Sequence, residues 1–282
     1  MEAKEDREFL DAAFVLLDMD GTLTEHNQTI RSRVIRALEE VCRHCCIGII
    51  TGSTFECMKF QLDPILSGGG GSSLLLDSLE FFPCNGTQHY VFDRSSGSFN
   101  KVSETDMLKN LGGKNLTRIF CKLSELQEHF CRTYVGDHNL CLTGDFIQYR
   151  GSMINWCPIG RNSTIDQRKK FIETDKEERV RILYREEIIK FFADSDLSSK
   201  VSVVFGGQTS FDIYPFNWDK TYQVSRELKG CTLWFVGDQC GPGGNDRTLY
   251  NHLNPSGRSF STSGPKETIR ILKNKILPKI SV

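Results

Sequence analysis

At 282 residues and 39% hydrophobic content, the chain is longer than one average domain and carries enough apolar side chain to bury a core, which excludes a disordered or peptide-scale protein. Its 35 basic and 36 acidic side chains nearly cancel, so no basic excess can neutralise a polyanion, and nucleic acid is excluded as a partner. No apolar run reaches the ~18 to 20 residues that span a bilayer, and the N-terminal MEAKEDREFLD is charged where a signal peptide is apolar, so no membrane association and a soluble, cytosolic chain are expected.

The first element is the apolar run Phe14 to Leu17, short and without alternation, as in a strand covered on both faces of a parallel sheet. Ile30, Val34, Leu38 and Val41 then recur at helical spacing, and Ile47 to Ile50 form a second short apolar run. Strand, helix, strand at this spacing is a right-handed βαβ unit, with chemistry expected at the strands' carboxyl ends, near residues 18 to 24 and 51 to 54. Between these elements, Cys42, His44, Cys45 and Cys46 contain a CxxC, but no second pair follows and Cys46 runs into the apolar IGII. A helix end and strand start fit better than zinc, and the odd total of 11 cysteines without framework spacing reads as free thiols. SGGGGSS at Ser67 to Ser73 lacks the Lys and the following helix of a phosphate-cradling loop and is expected to be a flexible loop.

From about residue 89 the texture changes. FIQYRGSMINWC and VSVVFGGQTSFDIYP are aromatic and β-branched around Gly-centred turns, which predicts antiparallel hairpins. The charged stretch between them predicts a helix opening near Ser163 and Asp166, with Phe171, Val180, Leu183, Ile188 and Phe192 buried. After Trp218 the α/β pattern returns with CTLWFVGD, RSFST and a helix from Pro265 whose Ile269, Leu272 and Ile276 share a face. The fold class is therefore α/β: a parallel-sheet core from 1–88 and 218–282, with an inserted α+β domain, 89–217, built on an antiparallel sheet.

DMDGTLT places Asp18 and Asp20 on a turn directly after a buried strand, where Gly21 permits backbone geometry that a β-branched residue resists. Carboxylates this close stay ionised together only with a cation between them, and a hard, oxygen-seeking ion such as Mg2+ suits them. GDQCGPGGND follows another apolar strand and adds Asp238 and Asp246 as candidate metal ligands. Thr51 and Ser53 end the second strand, where hydroxyl and N–H groups can hold a phosphoryl oxygen, although either also suits the N-cap of FECMKFQL. Lys220 in WDK can pair the nucleophile and a transferring phosphate as a point charge, or be a surface lysine.

These segments, together with FFPCNG, IQYRGSMINWCPIGR and GGQTSFDIYP, resemble the haloacid dehalogenase superfamily and, more closely, the eukaryotic phosphomannomutases, from Phe14 to about Leu277. The resemblance implies a haloacid dehalogenase-like Rossmannoid core with an inserted cap, and interconversion of mannose 6-phosphate and mannose 1-phosphate for GDP-mannose synthesis. It makes Asp18 the nucleophile and Asp20 the general acid/base. Asp18, the Asp20 carbonyl and Asp238 become Mg2+ ligands, Arg132 and Arg150 phosphate-binding residues, and Ser210 and Asp212 contacts of the sugar phosphate. It further implies hexose 1,6-bisphosphate as activator and a homodimer through the cap. Two family arginines that contact sugar phosphate are replaced, by Asn27 and Thr143, the latter expected beside Arg132 and Arg150, with Arg161 the nearest substitute. His252 and Pro255 fall where a second cation site has oxygen ligands, so that site is not carried over. The alternatives are a sugar-phosphate phosphatase using the same acids, and a non-catalytic sugar-phosphate-binding paralogue.

Overall fold

Alternation decides the core. In β1 (Ala13–Leu17), Val15 and Leu17 enter one buried apolar cluster, and Phe14 and Leu16 enter another on the opposite face. A strand needing cover on both faces has no polar side, which is why its sequence shows no period of two. The computed structural model describes residues 13–67, 71–136, 138 and 140–281; the MEAKEDREFLD segment and the three glycines 68–70 of SGGGGSS lie outside them. After the loop, Ser72 caps a short helix, Ser73–Ser78, which the sequence reading did not expect.

The other strands are β2 (Cys46–Ile50), β3 (Leu79–Phe82), β4 (Gln88–Asp93), β5 (Ser98–Glu104), β6 (Ile147–Tyr149), β7 (Ile154–Trp156), β8 (Val201–Gly206), β9 (Ser210–Pro215), β10 (Thr232–Gly237) and β11 (Ser259–Ser261). One seven-stranded sheet has the order β11-β10-β1-β2-β3-β4-β5. Its pairs from β11 to β3 are parallel, and β4 and β5 join antiparallel. The helix Ser32–Val41 covers one face through Val34, Leu38 and Val41, and the helix Arg247–Leu253 covers the other through Leu249 and Leu253.

The chain forms two compact units, one comprising the residues up to Glu104 with Lys220–Gly241 and Asp246–Val282, the other Thr105–Asp219 with Pro242–Asn245. The boundary expected at residue 88 falls inside the first sheet: β4 pairs with β3, Tyr90 stacks on Phe55 at 3.8 Å between ring centroids, and Phe99 packs on Phe81. An antiparallel edge hairpin has the same aromatic texture wherever it belongs, so composition could not assign it. The return boundary lies at 219/220 in place of 217/218.

The second unit holds the antiparallel sheet β6-β7-β9-β8, with the expected hairpin pairs β6–β7 and β8–β9. Its charged stretch is two helices, Ile165–Glu178 and Val180–Ala193, broken at Arg179, whose φ of 56° is left-handed. The capping box is Thr164 with Gln167, one residue from the expected start. The break resets the helical phase, so Val180, Tyr184, Ile188 and Phe192 form the buried stripe, while Leu183, expected inside, is 46% exposed. All 11 cysteines are free, and among the described residues no helix is long and apolar enough to cross a membrane.

In the first unit, the segment after Lys220 is fastened to the sheet by an ionic clamp. His89 on β4 is buried, with Nε2 2.8 Å from Glu80 Oε2 and Nδ1 in an ion pair with Glu227, which also accepts from the Ser103 hydroxyl. Burial alone lowers the His89 pKa, but its bonds to Glu227 and Glu80 outweigh that and raise it to about 9. A folded pKa above the unfolded value means the clamp acts fully below about pH 6.5 and is lost as pH rises through about 9. Relative to a His89→Gln variant, the wild-type protein should lose up to about 3 kcal/mol of unfolding free energy across that interval, read by urea unfolding. Parallel curves for the two proteins contradict the clamp.

Candidate active site

Three parallel strands end together. β1 aligns Leu17 with Val236 of β10 and with Ile49 of β2, and the Asp18 N–H continues the ladder by donating to the Val236 carbonyl at 3.0 Å. Asp18 leaves the carboxyl end of β1, Asp238 that of β10, and Thr51 and Ser53 that of β2. Gly21 has φ 83°, and a Cβ there would lie 2.5 Å from Asp238 Oδ2, so the turn after β1 needs glycine both for its backbone and for its approach to the second acid.

The Lys220 side chain, 0% exposed, donates to Asp18 Oδ1 and Asp246 Oδ1, each at 2.5 Å. It is a buried ammonium joining two carboxylates, which removes the surface-lysine alternative. Asp246 Oδ2 accepts from the Gln239 N–H at 2.9 Å, and Asp238 Oδ2 from the Gln239 side chain at 2.6 Å. One ligand oxygen each of Asp18, Asp238 and Asp246 lies within 4.8 Å of the others, and among the described residues this is the group that can hold a metal ion. The Asp20 carboxylate is not part of it; its Oδ1 accepts from Gln61 Nε2 at 3.1 Å and from the Asn27 N–H at 2.9 Å.

The electrostatics explain why a cation fits. Burial raises the Asp18 pKa most, Lys220 opposes it, and Asp246 and Asp238 push it further up. Burial and Asp246 likewise raise Asp238. Burial would lower Lys220, but Asp18 and Asp246 raise it, so it stays an ammonium. Three carboxylates against one ammonium leave two negative charges in a desolvated space, and an all-oxygen donor set of this kind suits a hard divalent cation.

Thr51 and Ser53 are buried, and the Thr51 hydroxyl accepts from the Ser53 N–H at 3.1 Å. Neither caps the next helix, Phe55–Leu66; Thr54 does, accepting from the Cys57 N–H. Their competing role as caps is thereby removed.

In the second unit, β7 faces β9 with Asn155 opposite Asp212. The Asn155 amide donates to Asp212 Oδ1 at 2.7 Å and Ser210 Oγ at 3.2 Å, so Ser210 and Asp212 are held together in the buried sheet. Arg150 follows β6, buried, with Nε bonded to Gln148. Arg132 is placed differently. Its side chain is 79% exposed, pairs with Glu128 one helical turn back, and lines a hollow with His129, Tyr184 and Glu187. The Thr143 hydroxyl contacts Ser163 and the Ile159 carbonyl. Arg168, which the sequence reading missed, donates to Thr209 Oγ1 at 2.8 Å and to the Arg161 carbonyl at 3.0 Å, next to Ser210. Its signal was its position one turn into the helix after CPIGR.

A sequence profile of eukaryotic phosphomannomutases matches residues 34–278. The chain belongs to the eukaryotic phosphomannomutase family. Phosphomannomutase from Drosophila melanogaster is 33% identical over 271 residues, covering 93% of this chain and 94% of that one. The Encephalitozoon cuniculi phosphomannomutase is 32% identical, covering 90% of each, and that of Saccharomyces cerevisiae 30%, covering 92% of each. Among solved structures, Plasmodium falciparum IMP-nucleotidase superposes with a TM-score of 0.61 at 16% identity, over 97% of this chain, which spans 65% of that one's length. SMU.1108c from Streptococcus mutans gives a TM-score of 0.55 at 13% identity, covering 94% of this chain and 98% of that one. At such identities the likeness concerns the fold, and this phosphomannomutase-family chain has the haloacid dehalogenase-like α/β fold expected of it.

Removing the ammonium tests the charge balance in this family member. Lys220→Met should cost about 3–5 kcal/mol of unfolding free energy near neutral pH, because two buried carboxylates lose their partner. Lowering pH toward about 5 should shrink the deficit as the Asp18 carboxyl, already pushed up by burial, takes up a proton. Urea unfolding at both pH values reads this, and an equal deficit at both contradicts it.

Proposed function

We propose that the chain is a phosphomannomutase that interconverts mannose 6-phosphate and mannose 1-phosphate, with a hexose 1,6-bisphosphate as activator, and so supplies GDP-mannose synthesis. The observation that carries this reading is the Lys220-bridged pair Asp18 and Asp246, with Asp20 two residues on, in a chain matched along most of its length by phosphomannomutases. Asp18 is the nucleophile: its carboxylate oxygen bonds to phosphorus as the bond from phosphorus to the sugar oxygen breaks. Asp20 gives that oxygen its proton, and takes the proton back from the hydroxyl that later receives the phosphoryl group. Asp18, Asp238 and Asp246 would hold Mg2+, which when bound supplies positive charge to the phosphoryl oxygens; the Asp20 main chain is the remaining oxygen from this turn. Lys220 opposes the rise that burial, Asp246 and Asp238 impose on the Asp18 pKa, and so favours its ionised form.

Thr51 and Ser53 hold oxygens of the reacting phosphoryl group through hydroxyl and N–H groups. Arg150, Ser210 and Asp212 bind sugar phosphate, and Arg168 takes the place first given to Arg132. A homodimer through the second unit is supported by its edge strand β6, where Tyr149 is 40% exposed, and a cytoplasmic setting by the free cysteines.

Purified protein given Mg2+, mannose 1-phosphate and a hexose 1,6-bisphosphate should form mannose 6-phosphate, followed by phosphorus NMR. Inorganic phosphate as the sole product would instead identify a phosphatase. In the same assay, Arg168→Ala should raise the KM for the hexose phosphate about 10- to 100-fold, the effect of losing a charge-assisted hydrogen bond, while Arg132→Ala leaves it within about twofold. The reverse order would return Arg132 to the site.

A further inference from the structure

The Asp20 carboxylate is oriented by a side chain with no part in the mechanism above. Gln61 sits in the helix Phe55–Leu66 and is 2% exposed, an unusual place for an uncharged amide unless each of its groups is bonded. Its Nε2 donates to Asp20 Oδ1 at 3.1 Å, its Oε1 accepts from the Thr24 hydroxyl at 3.0 Å, and its main-chain carbonyl accepts from the Ile30 N–H at 2.8 Å. The helix thus holds the loop after β1 at three points.

The Asn27 N–H reaches the same Asp20 Oδ1 at 2.9 Å because Asn27 is left-handed, with φ 56°, a conformation asparagine adopts more readily than most residues. Two donors on Oδ1 leave Oδ2 as the oxygen facing the proton transfer. We propose that Gln61 is a positioning residue of the phosphoryl transfer: through its amide and the Thr24 hydroxyl it fixes the rotation of the Asp20 carboxylate, so that Oδ2 meets the sugar oxygen. The inference rests on the reading of Asp20 as general acid.

The test compares hexose phosphate, whose alkoxide leaving group needs the acid, with an aryl phosphate, whose leaving group does not. Gln61→Met keeps length and helix propensity but no donor. It should lower kcat on hexose phosphate roughly 10- to 100-fold, as for loss of a hydrogen bond to a charged group, with KM within about twofold and single-turnover release of the aryl alcohol from aryl phosphate, the step that forms the aspartyl phosphate, within about threefold. Gln61→Glu keeps the acceptor for Thr24 and should show the same selective loss, which decides the matter should the Met variant fold poorly. Equal losses on both substrates, or none, overturn the inference. Asp20→Asn, run alongside, separates the two claims. If it is selective and the Gln61 variants are not, only the Gln61 role falls; if it is itself unselective, the acid assignment falls and the positioning role with it.

Discussion

The ammonium of Lys220, buried between Asp18 and Asp246, is the interaction on which the site depends. The carboxylate proposed as nucleophile must be ionised to attack, yet burial drives Asp18 toward its neutral form and the neighbouring Asp238 and Asp246 drive it further. Lys220 supplies the opposing attraction at 2.5 Å, in a space from which water is excluded and where a charge acts more strongly than at a surface. The remaining negative charge is what makes the cluster a place for a divalent cation.

The fold brings these groups together from distant parts of the chain. Asp18 and Asp238 come from the ends of adjacent parallel strands, and Asp246 closes back on the Gln239 N–H. Lys220 begins the segment that the His89 clamp fastens at its other end through Glu227. Interactions that look structural, such as the contact between the Gly21 turn and Asp238 or the clamp at β4, therefore bear on where the charge of the cluster lies. Asp20 is held by different means, from the helix Phe55–Leu66, so the proposed nucleophile and the proposed acid, two residues apart, have separate supports.

Much of this was legible in the sequence because it is local. DMDGTLT and GDQCGPGGND each follow an apolar strand, and in a parallel sheet strand ends are where polar groups converge, so Asp18, Asp238 and Asp246 could be grouped before any coordinates. What depended on tertiary pairing was not legible. The β4–β5 hairpin reads the same whether it edges one sheet or opens another. The left-handed Arg179, which breaks one predicted helix into two and exposes Leu183, carries no glycine or proline to announce it. Arg132 and Arg168 are both helical arginines, and only their partners, Glu128 for one and Thr209 for the other, tell a solvated ion pair from a residue built into the sheet's end. Gln61 went unnoticed because a buried amide in an amphipathic helix has no motif of its own.

The central claim, that the Lys220-paired Asp18 carries the phosphoryl group, is tested most directly by acid-quenching the protein during turnover with a hexose 1,6-bisphosphate and mapping phosphate by peptide mass spectrometry. Acyl phosphates survive acid and are lost with base or hydroxylamine. The account predicts a single labile phosphate on the peptide bearing Asp18, absent from Asp18→Asn. Phosphate on a serine or threonine, or turnover with Asp18→Asn intact, would contradict it.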